Sequence, residues 1–413
     1  MKKTFVLALS VLLVVGLLFV SCKKESPKVD SAAAKTTVAP VDDFHVGIVT
    51  GTVSQSEDDL RGAERLIAEY GSVASGGIFQ HVTYPDNFMD EQETTISVIA
   101  GLADDPKMKA IIVNQAVPGT TEAFRVIKEK RPDIITIAGE AHEDPGVIQT
   151  SADLAVNNDF VARGYTIIHT AHELGVDTFV HISFPRHMSY ETLSRRAAIM
   201  KAACDDLGMK FVLETAPDPT SDVGVAGAQQ YILEKVPAWI EQYGKNSAFF
   251  CTNDAHTEPL LKQLLAYGGY FIEADLPSPL MGYPGALGID LTAEAGDFPA
   301  ILKKVEAAVA AKGGSGRFGT WAYSYGYTVS AGLGTHAVNV LRGESELLKL
   351  SDIMKAYGKY TGDAKWNGSF YSDVNTGVRA RNHVLIYQDT YMMGKGYMGA
   401  ADLVVPEKYF AIK

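Results

Sequence analysis

Asn253 and Asp254 stand directly after the apolar run Ser247–Thr252, with His256 two residues on. An amide beside a carboxylate at the end of a buried strand can hydrogen-bond a small polar molecule. In open α/β sheets ligands collect at the carboxyl ends of the strands, where loops and helix N-termini converge. The same rule picks out Thr52, Ser54 and Gln55 after the strand His45–Gly51, although hydroxyls there also serve as caps for the next helix. Asn114 and Gln115 follow the apolar strand Ala110–Asn114 and offer either ligand amides or a turn before Pro118-Gly119. Glu140, in Gly139–Asp144, fits a hydroxylated or cationic ligand or an acidic loop. Phe184 and Arg186 combine a ring with a guanidinium, suited to stacking and hydroxyl or carboxylate recognition unless Arg186 is simply a surface group. Trp321, Tyr323, Tyr325 and Tyr327 form an aromatic cluster that is either core or ligand platform, and Trp321 and Tyr325 are the two taken as candidates.

Other chemistries lack their motifs. Gly47 and Gly51 form no GxGxxG and no P-loop is present, so a nucleotide-phosphate cradle is not expected. His169 and His172 lie three apart on a helix and His181 follows on a strand, but no HExxH or cysteine set completes a metal shell. No GxSxG elbow marks a nucleophile. The expectation is no cofactor, no metal and no catalytic residue.

Alternating elements must position these side chains. After the first strand, Ser56 and acidic residues open a helix whose Leu60, Ala63, Leu66, Ile67 and Tyr70 share a face. Strands near Ile78–Thr83, Ala110–Asn114 and Ile134–Ala138 alternate with helices near Glu91–Ala103 and Thr120–Lys130. A helix over Asn158–Leu174 begins a second set. Strands Asp177–Ser183, Lys210–Glu214, Ser247–Thr252 and Tyr270–Glu273 follow, with helices Tyr190–Leu207, a region to Tyr243 interrupted by Pro237, and Thr257–Tyr267. Strands separated by helices imply parallel sheets built from crossovers. Pro277, Pro279, Gly282, Pro284, Gly285 and Gly288 mark loop or crossover chain. Helices Phe298–Lys312, Tyr325–Arg342 and Ser345–Tyr357 and the strand His383–Gln388 complete the two units.

The N-terminus carries a targeting signal. Lys2 and Lys3 precede an apolar run from Phe5 to Val20 that stops at Ser21-Cys22-Lys23-Lys24. Ser21-Cys22 resembles the lipobox of bacterial lipoproteins, which implies a lipidated, palmitate-bearing Cys22 and a membrane-anchored, extracytoplasmic protein. Residues 23–43, rich in Lys, Ser, Ala, Pro and Asp, read as a tether. The 413-residue chain is 46% hydrophobic and 21% charged, a globular composition. Net charge is −12, becoming −14 when Lys2 and Lys3 are removed, which argues against nucleic acid as a partner. Cys204 and Cys251 are left in the folded part, either as two buried thiols or as a disulfide.

The signal, tether and paired α/β units together resemble the type I solute-binding proteins of bacterial ABC importers. His45–Gly51 with its helix, Ala103–Val113, Phe249–Asp254 and Ala337–Glu344 each resemble elements of that family. The resemblance implies two Rossmann-like lobes with parallel sheets joined by a multi-strand hinge. The expected division is 1–21 signal, 22–43 tether, 44–155 with 289–370 as the first lobe, and 156–288 with 371–413 as the second. It also implies capture of a small-molecule ligand for an ABC permease in the membrane, without catalysis. A sugar- or nucleoside-like ligand is expected, because no pair of arginines stands at strand ends. The alternatives are an exported α/β enzyme and a sensing lipoprotein that reports to a receptor.

Overall fold

The computed structural model describes residues 42–413. The signal at 1–21, the lipidation site Cys22 and the tether up to residue 41 lie outside the described residues. In chain order the first elements are β1 (His45–Thr50), α1 (Val53–Tyr70), β2 (Phe79–Thr83), α2 (Gln92–Gly101), β3 (Met108–Asn114), α3 (Thr120–Lys130), β4 (Ile135–Gly139), the short α4 (Pro145–Ile148) and β5 (Leu154–Asn158). Then come α5 (Phe160–Glu173), β6 (Thr178–Ser183), the short α6 (Pro185–Met188), α7 (Glu191–Leu207), β7 (Lys210–Thr215), α8 (Gly224–Tyr243), β8 (Ser247–Cys251), α9 (Thr257–Tyr267), α10 (Tyr283–Leu287) and α11 (Phe298–Ala311). The chain ends with β9 (Gly319–Trp321), α12 (Tyr325–Leu341), α13 (Leu350–Gly358), β10 (Trp366–Ser372), β11 (Arg379–Gln388), β12 (Thr390–Met392) and β13 (Gly396–Tyr397).

Two separate sheets result. The first has the order β10-β11-β5-β4-β3-β1-β2 and is parallel except for β10, which runs antiparallel to β11. Its strands read as near-continuous apolar runs because both faces are covered. Val46, Ile48, Ala110 and Ile112 pack toward α1 and α12, while Val49, Ile111 and Val113 pack in the cluster that holds Phe124 and Ile127 of α3. The second sheet, β7-β6-β8, is also parallel, with β6 and β8 buried throughout and β7 an exposed edge. Val180 and Ile182 join Ile232, Leu261 and Val305 on one side, and Phe179 joins Ile168, Met200 and Cys204 on the other. A small sheet, β13-β12-β9, continues from the second through the bridge between Phe271 and Phe318. The chain passes between the two lobes at Asn158–Phe160, Trp321–Tyr325 and Gln388–Thr390.

Several expectations change. Leu154–Asn158 is a strand, where the sequence suggested only a helix beginning at Asn158; the run is short and ends in two asparagines that hide its period. Pro237 does not interrupt α8, since Val236, Trp239 and Ile240 bury into the second core on either side of it and hold the helix together. Tyr270–Glu273 forms isolated bridges in place of a full strand. The stretch from 289 to 318 packs with the second sheet, because Phe298, Ile301, Val305 and Val309 bury against Val180 and Ile182. Conversely β11 belongs to the first sheet, where Val384 pairs with Val156, so residues 371–388 do not join the second lobe. Cys204 and Cys251 are both buried and unbonded.

Candidate functional site

The first strand delivers chain to a helix that starts twice. Thr52 caps α1, its Oγ1 accepting from Ser54 N at 3.2 Å. Ser56 then leaves helical geometry (φ −158°, ψ 88°), and its hydroxyl donates to Asp59 Oδ2, so the helix restarts with Asp58 and Asp59 in its opening turn. Carboxylates are favoured at that end of a helix dipole. Two glycines let this turn approach α12. A Cβ on Gly62 would stand 2.5 Å from the Tyr327 carbonyl oxygen, and one on Gly326 would stand 2.4 Å from Asp59 Oδ1.

Neutral donors surround these acids. Ser278 Oγ donates to Asp58 Oδ2 at 2.9 Å, and the Ser324 hydroxyl donates to the same oxygen. Asn114 Nδ2 donates to Asp59 Oδ1 at 2.8 Å, and Gln115 Nε2 reaches Asp59 Oδ2 at 3.3 Å. Glu140 follows β4 at φ 44°, the one non-glycine residue at positive φ among the described residues. Non-glycine residues held there concentrate at functional sites. Its carboxylate accepts from Asn158 N and Nδ2, both at 2.9 Å, and from the Tyr325 hydroxyl.

The second sheet faces this group with Asp254, which follows β8 in a short 3-10 turn capped by Asn253. Asp254 Oδ1 is buried and has no hydrogen-bond partner. Leu276, Leu280, Met281 and Pro284 supply an apolar wall. Together these residues line a cavity of about 310 Å³, at the small end of the range that holds small molecules. Glu57, Asp58, Asp59, Glu140 and Asp254 all line it, and no Lys or Arg does.

Burial sets the electrostatics. Asp58, Glu140 and Asp254 keep an edge on the cleft, yet protein surrounds their carboxyl groups otherwise. Desolvation raises Asp58, and it raises Asp59 to about 7 with a further push from the charge of Asp58. Glu140 rises to about 7 through burial, against the pull of its bonds from Tyr325 and Asn158. Asp254 rises to about 8 through burial, then through repulsion from Asp275, Asp59 and Glu140. Near neutral pH such carboxyls can hold a proton or exchange it for an external cation.

Of the residues singled out by sequence, the cavity gathers Gln55, Gln115, Glu140, Asp254 and Tyr325. The others lie elsewhere, for visible reasons. Thr52 and Ser54 bond Asp86 and are spent on the helix cap. Asn114 is fully buried and holds Asp59 in place. Asn253 Oδ1 caps Ala255 N at 3.0 Å. Phe184 is buried between the rings of His187 and His256. Arg186 donates to both oxygens of Asp218, at 2.7 and 3.0 Å. Trp321 is core, packed edge-on to Tyr325 and Trp366, and Tyr323 and Tyr327 belong to the second core cluster. His169, His172 and His181 form no metal-holding group with Cys, Asp or Glu among the described residues.

Sequence reasoning missed Asp58, Asp59, Ser278, Met281 and Ser324. The acids read as an ordinary helix opening, and 276–284 read as featureless loop, although its position after Tyr270–Glu273 places it at a strand end.

A profile of the family described as "Protein of unknown function (DUF3798)" matches residues 44–319, and a further family profile matches 330–412. An uncharacterized protein of Treponema pallidum (strain Nichols) is 45% identical over 210 residues, covering 51% of this chain and 95% of that one. A second from the same organism is 42% identical over 221 residues, covering 53% and 98%. A putative transcriptional regulator from Clostridium difficile 630 superposes with a TM-score of 0.73 at 22% identity, covering 85% of this chain and 99% of that one. A sugar ABC transporter from Actinomyces odontolyticus ATCC 17982 gives 0.51 at 9% identity, covering 75% and 88%. These likenesses show the fold, the type I periplasmic-binding-protein architecture. Among the described residues, no helix is long and apolar enough to cross a membrane.

Proposed function

The chain belongs to the DUF3798 family of proteins of unknown function, and for this member we propose ligand capture without catalysis. A small polar molecule, sugar- or nucleoside-like in its hydroxyls, is enclosed between the two lobes and presented to an ABC permease. The observation that carries this reading is the cavity itself. Gln115 and Glu140 enter it from strand ends of the first sheet and Asp59 from α1, while Asp254 and Met281 enter from the second lobe. A site split between two sheets that are joined by a few chain crossings is closed by hinge motion. The Actinomyces structure of like fold is a sugar ABC transporter, in keeping with this reading.

Export and anchoring complete the proposal. Ser21-Cys22 at the end of the apolar run supplies a lipid anchor, so the binding lobes work outside the cytoplasm beside the membrane. The Cys22→Ala variant should be unlipidated, and either unprocessed or released; a variant that still carries lipid and partitions unchanged into the membrane would refute the anchor.

Binding is tested by melting the chain against monosaccharides and nucleosides while following its radius of gyration by small-angle scattering. A ligand at about 100 times its dissociation constant adds roughly 2.7 kcal/mol, and the bound form should be more compact. A ligand that binds Gln115→Ala and Met281→Ala as tightly as the parent chain would place the pocket elsewhere.

A further inference from the structure

Donors and acceptors around the cavity do not balance. The hydroxyls of Ser56, Ser278, Ser324 and Tyr325 all donate to carboxylates already. What remains on offer is acceptor capacity, and Asp254 Oδ1 has no partner at all although it is buried. A buried carboxylate without partner or counterion is expensive, so a site that keeps one is built for something that brings both donors and charge.

No internal cation answers. Arg163 is buried and spends its guanidinium on Glu273 Oε1 at 2.8 Å, Asn158 Oδ1 at 2.8 Å and the carbonyls of Ala274 and Asp275. Arg196 is ion-paired with Asp275 and lies over the Phe250 ring at 4.8 Å. Arg186 is paired with Asp218. A metal ion is a poor answer as well, since among the described residues no three His, Cys, Asp or Glu side chains are placed to hold one. The apolar side, with Leu276, Leu280 and Met281, suits the carbon frame of an organic molecule.

We propose that the ligand of this cavity carries a primary ammonium group bonded to Asp254 of one lobe, with the acids Asp59 and Glu140 of the other facing it across the cavity. The proposal rests on the reading that the cleft binds a small molecule, and it names the class: an amino sugar or small diamine in place of its neutral counterpart. An ammonium offers three donors and one positive charge, which matches an acceptor-rich, cation-free cavity. Because the charge is shared by both lobes, the cation also favours the closed arrangement by bringing the two sets of carboxylates together.

The test uses matched pairs on the full-length chain: glucosamine against glucose, and putrescine against 1,4-butanediol. Melting shifts and calorimetry are recorded at pH 6 and pH 8, for the parent and for Asp254→Asn and Glu140→Gln. The amine of at least one pair should raise the melting midpoint while its neutral partner does not. Putrescine, whose amines stay protonated at both pH values, should bind more tightly at pH 8, where Asp59 and Glu140 have largely released their protons. Each variant, similar in shape to the residue it replaces, should fold and bind that amine about tenfold or more weakly. Equal binding of a neutral partner, or undiminished amine affinity in both variants, overturns the inference and leaves the binding reading standing. Stabilisation by Ca²⁺, Mg²⁺ or Zn²⁺ that Asp254→Asn abolishes also overturns it. If no member of either pair shifts the midpoint, the inference and the reading beneath it both fail.

Discussion

Glu273 and Asp275 lie on the chain that leads into the cavity wall, and each meets a guanidinium: Glu273 bonds Arg163, and Asp275 is ion-paired with Arg196. Asp58, Asp59, Glu140 and Asp254, a few residues away in space, meet serines, amides and a tyrosine, and Asp254 Oδ1 meets nothing. Both groups are acids at the junction of the lobes. The first is closed upon itself, with its charges paired inside the protein. The second has no Lys or Arg beside it in the cavity wall and opens to that cavity. Desolvating a charge costs several kcal/mol unless it is paired, so the fold keeps a lock in one place and open acids in the other. Residue type alone does not separate them; the partner does.

Breaking the lock should have the largest effect. Arg163 is 1% exposed and joins Asn158 of the first sheet to Glu273–Asp275 near the second, with the Trp321 ring 5.3 Å away. Arg163→Met keeps most of the volume but leaves Glu273 buried with Thr390 as its remaining side-chain donor. Removing one partner of a buried pair costs about 3–5 kcal/mol. Urea unfolding should register that loss, and adding Glu273→Gln should recover part of it, because the stranded charge is gone. A single-variant loss below about 1 kcal/mol would show that the pair is no lock.

Periodicity made much of the scaffold legible. Thr120–Lys130 and Thr257–Tyr267 were readable to the residue, since each has a helical apolar stripe and a clear stop. The strand-end rule found Gln55, Gln115, Glu140 and Asp254 because a polar residue after an apolar run stands out in one dimension. The distinction between the lock and the open acids was not legible. Arg163 and Glu273 are 110 residues apart, and nothing local announces that they meet. Asp58 and Asp59 look like any helix-opening acids until Gly326 and Ser324, from a helix far along the chain, close over them. Arg186 erred in the opposite direction: a guanidinium beside a ring reads as a binding group, and only the fold brings Asp218 to it.

The pH dependence of the unliganded chain sharpens the comparison with a smaller signal. Asp59 and Glu140 are raised to about 7 and Asp254 to about 8 in the folded protein, while the unfolded chain releases those protons near pH 4. The folded state therefore holds more protons between those limits, and stability falls as pH rises through them. Histidines act the other way below their ordinary value. His187 and His383 are lowered to about 4 and His181 to about 3 by burial, so stability gains as pH rises toward about 6.5. Asp275, Glu57 and Arg163 are the further charged groups that face the cluster. From pH 6.5 to 8.5 the carboxyls act alone among these groups, and the melting midpoint should drop by a few degrees. Asp254→Asn should flatten part of that drop. A midpoint that rises over this window, or one that falls equally in the variant, would mean that the cavity acids are ionised and paid for by some other contact.

The least effect is expected where sequence reasoning looked for a ligand contact. Arg186 is about one-third exposed, stacks on Phe184 at 5.3 Å and spends its Nε and Nη2 on Asp218. Its remaining side-chain bond, from Nη1, goes to Tyr190 at 3.2 Å. The pairing draws Asp218 well below the usual carboxylate range, so neither partner has charge to give a molecule in the cavity. Solvent screens such a pair, and exposed pairs are worth about 0.2–1 kcal/mol. Arg186→Ala should accordingly cost at most about 1 kcal/mol in urea unfolding and leave amine affinity at the parent value. Asp254→Asn should do the reverse, weakening binding while sparing the fold. If Arg186→Ala instead weakens binding as much as Asp254→Asn does, then a charge that the fold has already matched still reaches the ligand, and pairing inside the protein no longer separates the lock from the open acids.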